Sequence, residues 1–342
     1  MSPGERRAVA AWLLVCAALV FAMVVVGGVT RLTHSGLSIV EWQPLVGALP
    51  PLAEADWQAL FAKYRQTPEF RQVNFDIDLE GFKRIFWWEY FHRLLGRVIG
   101  LVFLLPYLWF LARGRLERRL AWLLGGVFLL GALQGALGWY MVESGLVDDP
   151  RVSHFRLTAH LGMALLIFAA ELWLALELLG ARQRPPARLA AAIALAVFVM
   201  ALSGGLVAGL RAGKAYNTFP LMNGHWVPPE ILMLEPWWRN FLYNMATVQF
   251  VHRAFFWLLA VLVPLAWWRA RATPAATPAT LLLAAFVLQA SLGIATLLAG
   301  VPVALAVAHQ GGAVLLLGAA LWFTHRSCAV SSPSASLALS SS

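Results

Sequence analysis

Eight mostly apolar stretches alternate with polar ones along the chain, at about residues 8–29, 91–112, 120–142, 157–179, 189–210, 246–268, 279–300 and 304–324. Each is close to the roughly 20 residues that a helix needs to cross a bilayer's hydrocarbon layer. Helices satisfy their own backbone hydrogen bonds where lipid cannot, so the pattern predicts an all-α integral membrane protein with eight transmembrane helices. The polar joints are of two kinds. Most are short, but 30–89 and 211–245 are long. In the first, Trp57, Leu60, Phe61 and Tyr64 recur at helical spacing, which predicts a short amphipathic helix lying on the membrane interface. Pro220, Pro228, Pro229 and Pro236 punctuate the second.

The spans also repeat. The first ends in Gly27-Gly28-Val29, and the fifth carries Gly204-Gly205-Leu206. The third holds Leu133-Gln134-Gly135-Ala136-Leu137-Gly138, and the seventh Leu288-Gln289-Ala290-Ser291-Leu292-Gly293. The second and sixth share His-Arg, at His92-Arg93 and His252-Arg253. The fourth and eighth share Ala-His-x-Gly, around His160 and His309. Four correspondences in one order predict two tandem pseudo-symmetric four-helix bundles. The first covers 8–179 with the outer loop 30–89, and the second covers 189–325. An even number of spans in each half gives both the same orientation, with the symmetry axis along the membrane normal. Residues 326–342, Ser-rich at the end, read as a disordered tail.

Composition excludes a soluble domain, because 60% of residues are hydrophobic and only 13% charged. Arginine sets the orientation. Arg6 and Arg7 precede the first span. Arg113, Arg115, Arg118 and Arg119 fill one short joint, Arg182, Arg184 and Arg188 another, and Arg269 and Arg271 start a third. Short arginine-rich loops stay in the cytoplasm, so both termini are expected there. Acidic residues such as Glu41, Glu69, Asp76 and Asp149 gather in the other loops. The net charge of +9 therefore reads as a topology signal, and no nucleic-acid partner is inferred. Contact with anionic membrane lipid is a by-product. Cys16 lies in the first span and Cys328 in the tail, so no disulfide is expected. The first span starts too early for a cleaved transit peptide, and as part of the repeat it is not a signal peptide. Trp87, Trp88, Trp226, Trp237 and Trp238 suit the interfacial aromatic belt.

Histidine inside a span is costly and marks function. Each even span runs from outside to inside, and each of His92, His160, His252 and His309 is read within about two turns of its span's start. That puts all four at one depth near the outer face. Imidazole is a common nitrogen ligand of haem iron, so the four read as two axial pairs for two haems. Small residues one or two turns on, Gly96 and Gly100 after His92, Ala164 after His160 and Ala313 after His309, would leave room for a flat ring. Phe256 after His252 breaks that pattern. Arg93, Arg97 and Arg253 could bind haem propionates or snorkel to headgroups. His34, His154 and His225 read as solvated loop histidines, and His325 as a residue of the inner end.

Glu89 breaks the symmetry. It lies one turn outward of His92, and its repeat partner is Gln249, which cannot ionise. A carboxylate beside one of two cofactors marks that half as chemically active, unless it only pairs with Arg93 or Lys83. Glu171 lies three turns inward of His160 and is left between a polar pairing and a proton path.

Several long stretches resemble the COX15/CtaA family of haem A synthases. These are Gly27 to Ser38, Phe82 to Arg97, Gln134 to Val142 and Ala215 to Met222, within a likeness covering about 8–325. The resemblance implies an enzyme that oxidises a methyl group of haem O to a formyl group. Two successive hydroxylations, through the alcohol haem I, give haem A for cytochrome oxidase. It implies that His92 and His160 hold the substrate haem, that His252 and His309 hold a permanent haem b, and that Glu89 is the catalytic carboxylate. Some members carry a cysteine pair in the first outer loop; 30–89 has none, so the chain resembles the cysteine-free branch. The early first span favours a bacterial inner membrane, with both haem sites toward the periplasmic side. Haem O synthase is the partner the resemblance suggests. The electron donor stays unnamed, and a homo-oligomer stays open.

Two other classes of protein share parts of this pattern. A di-haem b-type electron-transfer protein, quinol-linked, needs the same histidines but no turnover, and Glu89 opposite Gln249 speaks against it. A transporter would show broken helices at mid-membrane.

Overall fold

The structure is a computed structural model that describes residues 1–43, 46–147, 149–180 and 187–327. The predicted tail beyond 327, Arg182, Arg184, Asp148 and Cys328 lie outside the described residues. Eleven α-helices are described. Eight are long and apolar enough to cross a membrane: α1 (Pro3–Leu32), α4 (Leu79–Ala112), α5 (Arg118–Glu143), α6 (His154–Leu179), α7 (Arg188–Gly209), α9 (Met245–Ala270), α10 (Ala276–Leu298) and α11 (Val303–Arg326). The short helices are α2 (Glu54–Tyr64), α3 (Pro68–Gln72) and α8 (Asn240–Tyr243). All eight expected spans are present.

One boundary differs in a way that matters. The helix that carries the second span begins at Leu79, ahead of the apolar stretch at 91, where the Asp78 side chain caps it by accepting from Gly81 N at 2.8 Å. His92 therefore sits about three and a half turns into its helix, though near the start of the apolar stretch. The other three histidines keep the expected distance from their helix starts. The charges of Glu80, Lys83 and Arg84 hid this extension, because a hydropathy pattern marks the stretch in lipid and not the helix that continues beyond it.

Helix α2 forms where the helical spacing predicted it, and its apolar face packs on protein. Trp57 and Tyr64 are buried against Phe82, Phe86 and Tyr90 of the α4 extension. The rings meet edge-on or tilted at 4.9–6.5 Å, the arrangement aromatic quadrupoles favour. The amphipathic face thus builds a small core of its own above the bundle. The apolar face expected to meet the membrane interface is turned to this core.

Within the first four spans, α1 packs on α4 and α6, and α5 packs on the same two. Within the last four, α7 packs on α9 and α11, and α10 packs on the same two. The sets meet through α1–α11, α6–α7 and α6–α11. A continuous apolar core runs through all eight, with Leu13, Leu165, Ile193, Leu282 and Leu317 almost wholly enclosed. Close helix approach is set by small residues: Gly28 faces the Gln310 side chain, which donates to Val24 O at 2.8 Å, and Gly205 faces Thr158. Arg31, at the end of α1, donates to Ala208 O near the end of α7. Both long loops therefore leave from one end of the bundle.

Candidate functional site

The four span histidines come together as two pairs. His92 on α4 and His160 on α6 lie within electrostatic reach of each other, and so do His252 on α9 and His309 on α11. Buried ring nitrogens of His92, His160 and His309 have no hydrogen-bond partner among the described residues. An orphaned buried donor or acceptor is costly in an apolar interior, so these rings suit a ligand that would occupy them. His252 differs, since its Nδ1 is 2.8 Å from Ser203 Oγ on α7.

The room around these rings comes from an unexpected place. Each imidazole lies edge-on against a glycine of the preceding span. A methyl built on Gly27 would stand 3.0 Å from His92 Cε1, one on Gly138 2.9 Å from His160, one on Gly204 3.2 Å from His252, and one on Gly293 2.7 Å from His309. Of the small residues expected to leave room for a flat ring, Gly100 has open space beside it as expected, whereas Gly96 faces Met23 and Ala164 packs into the core. The four glycines were visible in the sequence as marks of the repeat, but their task was missed. The same holds for Gln134 and Gln289, whose side chains donate to His160 O at 3.0 Å and His309 O at 2.9 Å.

Glu89 is almost fully buried. Its Oε1 accepts from Arg93 Nε at 3.0 Å and Nη2 at 2.6 Å, and its Oε2 accepts from Ser38 Oγ and Ile39 N, both at 2.7 Å. Arg93 goes on to Ile39 O at 2.7 Å and Glu41 O at 3.1 Å. Lys83, the other partner considered, instead meets Glu80 and Glu54. The matching position in the second half keeps the architecture without the charge. Gln249 donates to Tyr216 O at 3.1 Å, and Arg253 donates to Tyr216 O, Pro220 O and Leu221 O. Arg97 donates to Gln43 O at 2.9 Å. Each long loop is thus latched over its histidine pair by an i, i+4 couple from the second helix of its half.

The remaining histidines depart from the solvated reading in two cases. His154 opens α6 and packs against Gly209 and the rings of Phe155 and Tyr243. His34 is half-buried, with Nδ1 3.9 Å from Glu69 Oε1. Burial and the nearby Arg211, Lys214 and Arg31 hold its basicity below the ordinary histidine range. His225 is exposed, as expected. His325 is buried at the end of α11, edge-on to Trp173 and 3.7 Å from Glu177. Glu171 is enclosed on α6, and its Oε2 has no hydrogen-bond partner among the described residues. Glu69, which the sequence did not single out, is buried on α3. Burial first, and then the charge of Glu89, push its carboxyl up to about 8, against the opposing pull of Arg211.

Eight spans, two pairs of buried histidines and one loop-latching carboxylate define, among the described residues, a multi-span membrane protein with a polar site repeated in each half. The chain belongs to the COX15-CtaA family of cytochrome oxidase assembly proteins, whose model matches residues 10–321. It is 59% identical over 332 residues to a protein named heme A synthase from Nitrosospira multiformis, covering 94% of this chain and 93% of that one. Heme A synthases from Nitrosomonas eutropha and Parvibaculum lavamentivorans are 54% and 50% identical, each covering more than nine-tenths of both chains.

Proposed function

We propose that this chain is a haem A synthase, which oxidises a methyl group of haem O to a formyl group in two hydroxylations by way of haem I. Family membership and near full-length identity to proteins of that name support the reading. The observation that carries it within the molecule is the contrast between the two halves. Both have paired buried histidines on glycine platforms, but only the first has an ionisable group, Glu89, where the second has Gln249. We assign His92 and His160 to the iron of the substrate haem, and His252 and His309 to the iron of a permanent haem b. The haems supply the redox chemistry when bound.

The chain's own residues bind, orient and handle protons. The glycine platforms fix the imidazole rings. Glu89 pairs with Arg93 one turn from His92, and Ser38 Oγ donates a hydrogen bond to it at 2.7 Å. A guanidinium has five N–H donors, so Arg93, Arg97 and Arg253 can serve propionates while latching the loops. The repeated packing order in the two sets of spans supports tandem pseudo-symmetric bundles, 8–179 and 189–325. Arginine at the short loops supports cytoplasmic termini, and hence haem sites toward the periplasmic side of a bacterial inner membrane. Haem O synthase would supply the substrate; haem A would pass to cytochrome oxidase. Nothing observed favours the rival reading as a di-haem b-type electron carrier.

The test is to extract and mass-analyse the haems of the purified protein after co-expression with haem O synthase. Haem A or haem I beside haem b is expected. Two haem b per chain, with haem O available and unused, would overturn the reading.

A further inference from the structure

The long-loop end holds a second buried acid that the proposed chemistry has not used. Glu69 is 2% exposed, and its Oε2 has no partner among the described residues. Its Oε1 is 3.9 Å from His34 Nδ1. The charged and titratable groups that face it come from every side: Tyr64 of α2, His34 after α1, Glu89 of α4 and Arg211 after α7. Arg31 and Lys214 act on His34 in turn. The segment 33–38 joins the two acids. His34 stands at Glu69, the hydroxyls of Thr33 and Ser35 lie 2.7 Å apart, and Ser38 donates to Glu89. On the other side, Gln72 and Val73, one turn beyond Glu69, line a cavity of about 410 Å³ together with Asp149, Pro150, Arg151 and Arg211.

We propose that Glu69 is a positioning acid that keeps a transferable proton beside Glu89 and renews it from the Arg211-lined cavity. The proposal rests on the haem A synthase reading only for what the proton is used for. The Glu69 carboxyl gives up its proton from the Oε1 side, which faces His34, through the hydroxyl-bearing 33–38 segment toward the Glu89 carboxylate, and the resulting Glu69 carboxylate takes one from water entering by the cavity. No electron moves, and one proton leaves and one returns. Three observations carry the inference. An enclosed carboxyl with an empty oxygen is stable as the acid, because an isolated buried carboxylate is strongly disfavoured. A second carboxylate within reach makes holding both charges harder still. His34, its nearest basic neighbour, is itself kept toward the neutral form by burial and surrounding cations, so it does not neutralise Glu69.

The test uses the full-length purified protein and two variants, Glu69→Gln and Glu69→Asp. Three quantities are read: bound haem per chain, haem A formation against pH, and the pH titration of protonated-carboxyl infrared bands. Glu69→Gln should bind haem as the wild type does and lose about tenfold or more of its haem A formation. It should also lack a carboxyl band that titrates near pH 8 in the wild type. Glu69→Asp should recover part of the rate and displace the alkaline limb of the pH profile. A Glu69→Gln protein with wild-type rate and pH profile would overturn the proposal, and so would an unchanged infrared titration. If that variant does not accumulate, an undisplaced limb in Glu69→Asp overturns it. A wild type that makes no haem A would sink the functional reading instead, while the infrared titration would still decide whether Glu69 holds the proton.

Discussion

Replacing Gly293 with alanine tests whether the glycine platforms are what fix the histidine rings. The added methyl would stand 2.7 Å from His309 Cε1. Carbon atoms pack best at about 3.5–4.0 Å, so the ring must retreat by roughly 1 Å, twice the ~0.5 Å tolerance of a well-held site. Overpacking of this kind costs about 1–3 kcal/mol, which converts to roughly 5- to 150-fold weaker haem retention. The control is Gly135→Ala, on α5 one turn from a platform glycine but with nothing within 4 Å. There, alanine's better helix propensity of about 1 kcal/mol should leave the protein neutral or slightly stabilised. Gly204→Ala, at 3.2 Å, should fall between the two. The assay is haem b per purified chain with the Soret spectrum, and circular dichroism to confirm the helices. A Gly293→Ala protein with full haem and an unaltered spectrum would refute the platform argument.

Other outcomes follow from the same geometry. His252→Ala should lose haem b; wild-type stoichiometry in that variant would remove His252 from the ligand set. Glu89→Gln should keep bound haem but stop formyl formation, since an amide can still accept from Ser38 and Ile39 yet carries no charge for Arg93. Normal haem A output would exclude Glu89 from the chemistry. The same variant should also loosen loop 38–43, read as faster protease cleavage there. Glu69 sets a pH dependence of stability. Its carboxyl keeps its proton to about pH 8 when folded but releases it near the ordinary 4.5 when unfolded. Between those values the folded state binds more protons, so stability falls as pH rises through that window. Glu69→Gln should flatten the fall in Tm, and an equally steep fall in the variant would contradict the assignment.

The spans, the histidine pairs and the Glu89–Gln249 asymmetry were all legible in the sequence, because each is written in a periodic or repeated signal. What stayed hidden depends on contacts between distant segments. The α4 extension is helical because Asp78 caps it and α2 packs on it, and neither fact appears in a hydropathy profile. Gly100 leaves the open space expected on the face of His92, but the glycine that the imidazole itself rests on, Gly27, belongs to another helix, which local spacing does not name. Glu69 looked like one more acidic loop residue. Only the closure of α2, α3 and the 33–38 segment over it makes it buried. Arg93 and Arg253 were legible as cations near the sites, whereas the loop carbonyls they hold lie 32 to 54 positions away.

The contact between α1 and α11 also has a consequence for how the molecule is made. Val24 O of the first helix accepts its side-chain hydrogen bond from Gln310 on α11, which is translated long after α1. A chain still emerging from the ribosome therefore carries a first half whose opening helix lacks its neighbour. Until α11 is made, the small-residue face around Gly28 must be covered by lipid, by an insertion factor or by a provisional partner. Completion of the first half is thereby tied to synthesis of the second, and a chain truncated before α11 should be cleared by membrane proteases rather than persist as a half-working enzyme.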